Sequence, residues 1–299
     1  YDIKPKEIYG DLYIDCTGQE SALSGSLSRW IDFDTILTDS ALVVKTEYLN
    51  RKKEMVPYTN ARAMSAGWQW TIPTYDFVSR GYVYSSKFIS DDEAWEEFGY
   101  DDAKKITFRN GRHERAWTGN CVSIGLSYGF IEPLESTSLF NTHHGILALM
   151  DILRVEKLPG QFARDRFNHD LSEHMDGWRE FVEAHYYYSH RRDTPFWRAV
   201  TDEVEYPQEG SHDTVRHMMV SGDPIPTGHL PIAFILAGSG YTNINKRHAD
   251  YFQTPSLMQK KVVDEWHKQY EKRKRLADSM PYMCDYLSGT FNYEVKEDV

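Results

Sequence analysis

The feature that most restricts how this chain can fold is a change of hydrophobic period part-way along it. From about residue 30 to 125, apolar and polar residues alternate in short segments such as Ala41-Leu42-Val43-Val44-Lys45-Thr46-Glu47-Tyr48 and Gly81-Tyr82-Val83-Tyr84-Ser85-Ser86. Turns rich in Gly, Pro and Asp separate them. A period of two belongs to strands, so this half reads as sheet. After residue 135 the spacing becomes three and four. Ile146, Leu149, Met150 and Leu153 share one helical face, and Phe167, Leu171, Met175, Trp178 and Val182 share another. The expected class is α+β, with a mixed or antiparallel sheet region over 1–134 followed by a mainly helical region over 135–299. The run from Ile8 to Gly18 reads as a buried strand entering a Gly turn, so the chain opens at Tyr1 already inside structure and is expected to continue upstream. Pro159-Gly160 and the stretch Pro224 to Pro231 read as loops. Met258, Val262, Trp266 and Tyr270, with charged residues between them, read as one face of a solvated surface helix.

Composition removes several classes of function. With 34 Lys and Arg against 45 Asp and Glu, the net charge of −11 is scattered along 299 residues, which argues against a nucleic-acid partner. No run approaches the roughly 18 apolar residues of a membrane helix. Cys16, Cys121 and Cys284 are odd in number, lack CxxC spacing and follow no secretory leader, so a cytoplasmic location with reduced thiols is expected. The phosphate-loop, zinc-protease and serine-hydrolase fingerprints are absent. His143-His144, His169 with His174, and His185 with His190 have no acidic or cysteine partner at a ligand spacing, so no metal site is expected.

Two tracts carry chemistry. In Gly67-Trp68-Gln69-Trp70-Thr71-Ile72-Pro73 the tryptophans stand two apart, so an extended backbone turns both indoles to one side. They form either a flat apolar wall for a ligand or two large core residues. From Gly119 to Leu139 an apolar strand enters glycines, and Glu132 and Glu135 then precede Ser136-Thr137-Ser138 at the head of a helical run. Free N–H groups at a helix start seat an anion. A carboxylate beside them in an apolar pocket would have its pKa raised and could accept a proton from a substrate. The plainer alternative is that Glu135 and Ser136 merely cap the helix.

In that order, Gly10 to Gly18, Gly67 to Pro73 and Glu132-Pro133-Leu134-Glu135-Ser136-Thr137, with Asp193-Thr194-Pro195-Phe196-Trp197 further on, the chain resembles the flavin-dependent halogenases of the tryptophan-halogenase type. The likeness runs over nearly all of it. It implies a glutathione-reductase-type FAD fold, with the helical part covering the substrate pocket. It also implies an oxidoreductase that uses reduced FAD from a separate flavin reductase, oxygen and a halide ion to make hypohalous acid, which halogenates a small aromatic substrate. By motif position Glu135 is the catalytic carboxylate and Ser136 its hydrogen-bonding neighbour. Thr137 and Ser138 bind halide; Gly18, Leu126 and Leu139 contact the cofactor; and Trp68, Trp70, Ile72 and Pro73 wall the tunnel of the oxidant.

Ser138 stands where many tryptophan-specific members have glycine, which leaves chloride against bromide open. Pro231 to Leu236 offers no charged or Tyr-rich anchor for an amino acid, which favours an indole, phenol or similar arene over free tryptophan. The family's GxGxxG turn and catalytic lysine are expected upstream of these residues, so this piece alone should not turn over. The alternatives are an FAD-dependent aromatic monooxygenase and a non-catalytic aromatic-binding remnant. A homodimer is compatible with the resemblance.

Overall fold

The computed structural model describes residues 7–206, 211–221, 230–240 and 255–291. In chain order its strands are β1 (Tyr13–Asp15), β2 (Trp30–Asp32), β3 (Ser40–Thr46), β4 (Asn60–Met64), β5 (Gly67–Pro73), β6 (Val78–Tyr84), β7 (Lys104–Thr107), β8 (Gly111–His113), β9 (Trp117–Thr118), β10 (Cys121–Ser123) and β11 (Gly129–Phe130). The helices are α1 (Arg51–Glu54), α2 (Asp91–Phe98), α3 (Thr137–Val155), α4 (Gln161–Tyr187), α5 (Pro195–Arg198), α6 (Ser211–Ser221), α7 (Leu230–Gly238), α8 (Ser256–Ser279) and α9 (Met283–Phe291). Strand gives way to helix between Phe130 and Thr137, where the hydrophobic period changes.

The compact units do not follow a single cut in the sequence. One is drawn from residues up to Asp39, 107–189 and 198–212, the other from 40–106, 190–197 and 213 onward. In the first, β1 runs parallel to β10, with β9 antiparallel on its other side, and β11, β8 and β2 form a second antiparallel sheet. The β1 residues find their partners more than a hundred positions away, at Cys121 to Ser123. Of the face expected of it, helix α4 buries Phe167, Leu171, Met175 and Val182 and leaves Trp178 half-buried. Asn168 on that helix takes the Trp117 N–H at 2.7 Å and donates to the Trp117 carbonyl at 3.0 Å, so the backbone of β9 stays satisfied where no strand lies beside it. Arg112 and Asp176 add a two-bond ion pair at 2.9 and 2.7 Å between β8 and α4.

The second unit is a five-stranded sheet in the order β4-β5-β6-β3-β7. Its core gathers Leu42, Val44, Met64, Tyr82 and Tyr84 against Ala94 and Phe98 of α2. That helix starts on a reciprocal Ser90–Glu93 capping box and ends on left-handed Gly99. Tyr82 and Tyr84, both fully buried, keep their hydroxyls satisfied on Glu97 and Asp91 of the same helix, each at 2.7 Å.

Two expectations change and a third holds. The opening strand is only Tyr13–Asp15, and Ile8 and Tyr9 are 76% and 85% exposed, because pairing to β10 begins at Tyr13. Of the Pro224 to Pro231 stretch, residues 224–229 lie outside the described residues, while Pro231 falls in the first turn of α7, where its missing N–H costs no hydrogen bond. The surface helix around Trp266 is α8, which buries no residue and stacks Trp266 on Tyr270 at 5.5 Å.

Candidate functional site

In the first unit the chain leaves β11 through a short turn, Leu134–Ser136, and enters α3. Glu135 (φ 62°) and Ser136 (φ 56°) both take the left-handed conformation, and the Ser136 N–H donates to the Pro133 carbonyl at 3.0 Å. For side chains with a Cβ this costs about 1–2 kcal/mol per residue. Two such residues in succession persist only where the surrounding structure holds them. Ser136 stands at the N-cap position of α3, yet its side chain makes no capping bond, so the plain capping reading lacks its hydrogen bond.

Glu135 is half exposed and points one carboxylate oxygen at His185 Nε2, 3.6 Å away, on α4. The His185 Nδ1–H donates to the Phe181 carbonyl at 2.9 Å, and Phe181 packs edge-on against the ring at 5.0 Å. With Nδ1 committed to a carbonyl, Nε2 is the ring nitrogen left to face the carboxylate. The Glu135 carboxyl is held below the ordinary glutamate range by His185, against a smaller upward push from burial. The raised value expected from an apolar pocket is thus reversed, because the partner outweighs desolvation. No spacing in the sequence announces His185, fifty residues from the carboxylate it faces.

Immediately after the elbow, Thr137 is 1% exposed, and its Oγ1, together with Ser138 Oγ and Asn141 Oδ1, is buried without a hydrogen-bond partner among the described residues. Orphaned buried polar atoms are rare in folded proteins. Thr137 and Ser138 lie in the first turn of a 19-residue helix, where the backbone N–H groups are also without intrahelical partners, and Asn141 follows one turn on.

A second feature of this unit is an apolar cleft of about 550 Å³ beside the parallel β1–β10 pair. It is lined by Ile14, Cys16, Gly18, Leu126, Ile146 and Met150 among others. Gly18 and Leu126, expected at the cofactor, both line it; Leu139, on the first turn of α3, is 68% exposed and does not. The turn bearing Gly18 is organised by Asp15, which is fully buried. Its carboxylate accepts from the N–H and hydroxyl of Thr17 at 3.0 and 2.7 Å, from Leu23 N–H at 3.0 Å, and from the N–H and hydroxyl of Ser24 at 2.8 and 2.7 Å. Burial alone would push this carboxyl up, but the bonds from Thr17 and Ser24 outweigh it and hold the group far below the usual carboxylate range. Sequence reading singled out Gly18 and passed over Asp15, whose donors are visible only once the turn has folded.

In the second unit, Trp68 and Trp70 lie on one face of β5 with ring centroids 6.0 Å apart. Trp68 is buried and Trp70, Ile72 and Pro73 are half-buried. Gly81, opposite Trp70 on β6, makes the indole's position possible: a Cβ there would come within 2.1 Å of the ring. The turn before β5 is clamped by the segment around Asp193 to Trp197. Trp197 Nε1 and Arg191 donate to the Met64 carbonyl at 2.7 and 3.0 Å, and the Thr194 hydroxyl donates to the Ser65 carbonyl at 2.6 Å. Among the described residues, no group of three or more His, Cys, Asp or Glu is arranged to hold a metal ion, and no helix is long and apolar enough to cross a membrane.

Comparison with known proteins agrees with the order of these motifs. The family model for tryptophan halogenase matches residues 4–258. Tryptophan 6-halogenase SttH of Streptomyces toxytricini is 32% identical over 302 residues, covering 95% of this chain and 56% of that protein. Tryptophan 7-halogenase RebH of Lentzea aerocolonigenes is 38% identical over 200 residues, 63% of this chain and 38% of the relative. Among solved structures, BrvH, a flavin-dependent halogenase from Brevundimonas sp. BAL3, matches with a TM-score of 0.81 and 28% identity over 95% of this chain and 59% of its own. The chain therefore spans 38% to 59% of the length of these proteins. On sequence and backbone together, it belongs to the tryptophan halogenase family, of the flavin-dependent type.

Proposed function

We propose that the whole protein is a flavin-dependent halogenase acting on an electron-rich arene, an indole or phenol in preference to free tryptophan. One observation carries the reading: a carboxylate in a strained left-handed turn, set directly ahead of a long helix whose first side chains leave buried polar atoms without protein partners. Thr137 and Ser138 hold the halide in this reading, since hydroxyls and free N–H groups at a helix start suit a small anion. The cleft supports the cofactor assignment. It is apolar and of a size usual for ligand sites, and nothing lies within 4 Å of where a Cβ on Gly18 would stand, which leaves that backbone open to a flat ring. Gly18 and Leu126 would hold FAD there, received in reduced form from a separate flavin reductase, while Leu139 stands outside the cleft. Bound there, the cofactor supplies the activation of oxygen from which hypohalous acid is made.

Glu135 takes the proton that the arene ring loses when carbon exchanges hydrogen for halogen, and Ser136 donates a hydrogen bond to the oxidant. His185, 3.6 Å away, holds the Glu135 carboxyl below its ordinary range, and so ionised and able to accept that proton. Trp68, Trp70, Ile72 and Pro73 line the path of the oxidant and exclude water from it.

The test uses the full-length protein with a flavin reductase, bromide and a panel of indoles and phenols. A product carrying bromine's isotope doublet is expected. A gain of one oxygen whatever the halide would make the protein a monooxygenase, and flavin-independent binding of indole without product would make it a binding remnant. Trp70→Ala should stay folded but release hypohalous acid to a scavenger in solution, with product per flavin oxidised falling about tenfold. Unchanged coupling would remove Trp70 from the path.

A further inference from the structure

The elbow has little to hold it locally, since two non-glycine residues are left-handed in sequence and the N-cap side chain makes no bond. A buried carboxylate sits three residues upstream. Glu132 is fully buried and accepts from the Tyr186 hydroxyl at 2.7 and 2.9 Å and from the Thr38 hydroxyl. Its own N–H donates to Asn110 Oδ1 at 2.8 Å, and Asn110 in turn donates to the Thr38 carbonyl at 2.6 Å. The Tyr186 phenol is pushed well above its ordinary value by burial and by Glu132, so it stays a donor. Tyr186 directly follows His185, as Glu132 shortly precedes Glu135. The Glu132–Tyr186 bonds and the Glu135–His185 pair therefore tie the same two backbone segments, one tie dry and close, the other half exposed and longer.

We propose that Glu132 and Tyr186 form a buried strut that holds the Glu135 elbow against His185, making both of them positioning residues for the chemistry at Glu135. The inference rests on the role given to Glu135 above. A strut suits the task because a hydrogen bond in a dry interior is short and directional, whereas a half-exposed contact at 3.6 Å is loosened by water. The titratable group facing Glu135 is His185, from α4. Those facing Glu132 are Tyr186 and, from the segment after α5, Tyr206, whose hydroxyl is itself pushed up by burial, by Glu183 and by Glu132.

The experiment compares Tyr186→Phe and Glu132→Gln with Tyr206→Phe in the full-length protein. Tyr206→Phe deletes another buried hydroxyl, one that donates to the Val200 carbonyl at 2.8 Å and leaves the strut intact. With reductase, bromide and indole, Tyr186→Phe should lower kcat on the order of tenfold or more with KM for indole within about twofold. In ligand-free protein labelled with 13C at the glutamate carboxyls, the Glu135 resonance, assigned by its loss in Glu135→Gln, should titrate at higher pH than in the parent. Glu132→Gln keeps an acceptor for the phenol and should show a smaller shift the same way, and it carries the test if Tyr186→Phe does not fold. Tyr206→Phe should move neither readout. A parent-like kcat and titration in Tyr186→Phe, or equal losses in Tyr206→Phe, would overturn the strut. Should Glu135→Gln itself turn over normally, the role of Glu135 falls, and the carboxyl titration alone then decides whether the strut exists.

Discussion

Replacing Glu135 by glutamine should lower halogenation by two to four orders of magnitude, the usual worth of a well-placed general base, while flavin affinity stays within about twofold. The substitution preserves shape and removes only the ability to take a proton. Glutamine also suits the left-handed turn no worse than glutamate, so the fold should survive. Because His185 holds the Glu135 carboxyl below the ordinary glutamate value of about 4.3, the base is ionised throughout the neutral range. Activity that depends on it should persist as pH falls and decline only below that value. Single-turnover product formation with bromide, set beside flavin fluorescence titration, separates the two effects. Full turnover in Glu135→Gln would sink the assignment.

The second large effect is expected at Asp15, on stability and cofactor together. Asp15→Asn loses the charge that five donors converge on and brings an NH₂ group among them. A loss on the order of 3 kcal/mol follows from bonds to a buried charged group. For a protein of this size that lowers the melting temperature by roughly 6–12 °C. The pH dependence has a definite sign. A carboxyl whose folded-state pKa is depressed stabilises in full above its unfolded value, about 3.9, and loses that contribution as pH falls through and below it. The gap between parent and Asp15→Asn should therefore be constant at neutral pH and close progressively below about pH 5. Since the same turn presents Cys16 and Gly18 to the cleft, flavin affinity should also drop, by roughly tenfold. A gap that stays constant into acid would show that the carboxylate is not what holds the turn.

Much of this could be read from residue order, and the reasons for success and failure are physical. Local periodicity located β5 at Gly67–Pro73, the paired indoles on one of its faces, and the buried stripe of α4, because each depends only on neighbours two to four positions away. The motif order carried the family. What escaped was long-range: His185 opposite Glu135, the donors around Asp15, Glu132 beneath Tyr186, and Asn168 on the backbone of β9. Ile8 and Tyr9 were misplaced because an apolar run looks buried whether or not a partner strand reaches it. The pKa of Glu135 was expected to move the wrong way for the same reason, since burial is legible in a sequence and a facing histidine is not.

The interleaving of the two units bears on how the chain acquires its structure in time. Segment 40–106 leaves the first unit at Asp39 and returns at Thr107, and the Phe108 N–H meets the Asp39 carbonyl at 2.9 Å, so the ends of the excursion are brought together. Within it, β4, β5 and β6 are successive antiparallel neighbours joined by short turns, the kind of pairing that forms quickly. The first unit instead needs β1 to wait for β10, synthesised more than a hundred residues later. On the ribosome the excursion should thus fold early and act as a clasp, closing a long loop before its flanking strands meet and sparing them most of the entropy of finding each other.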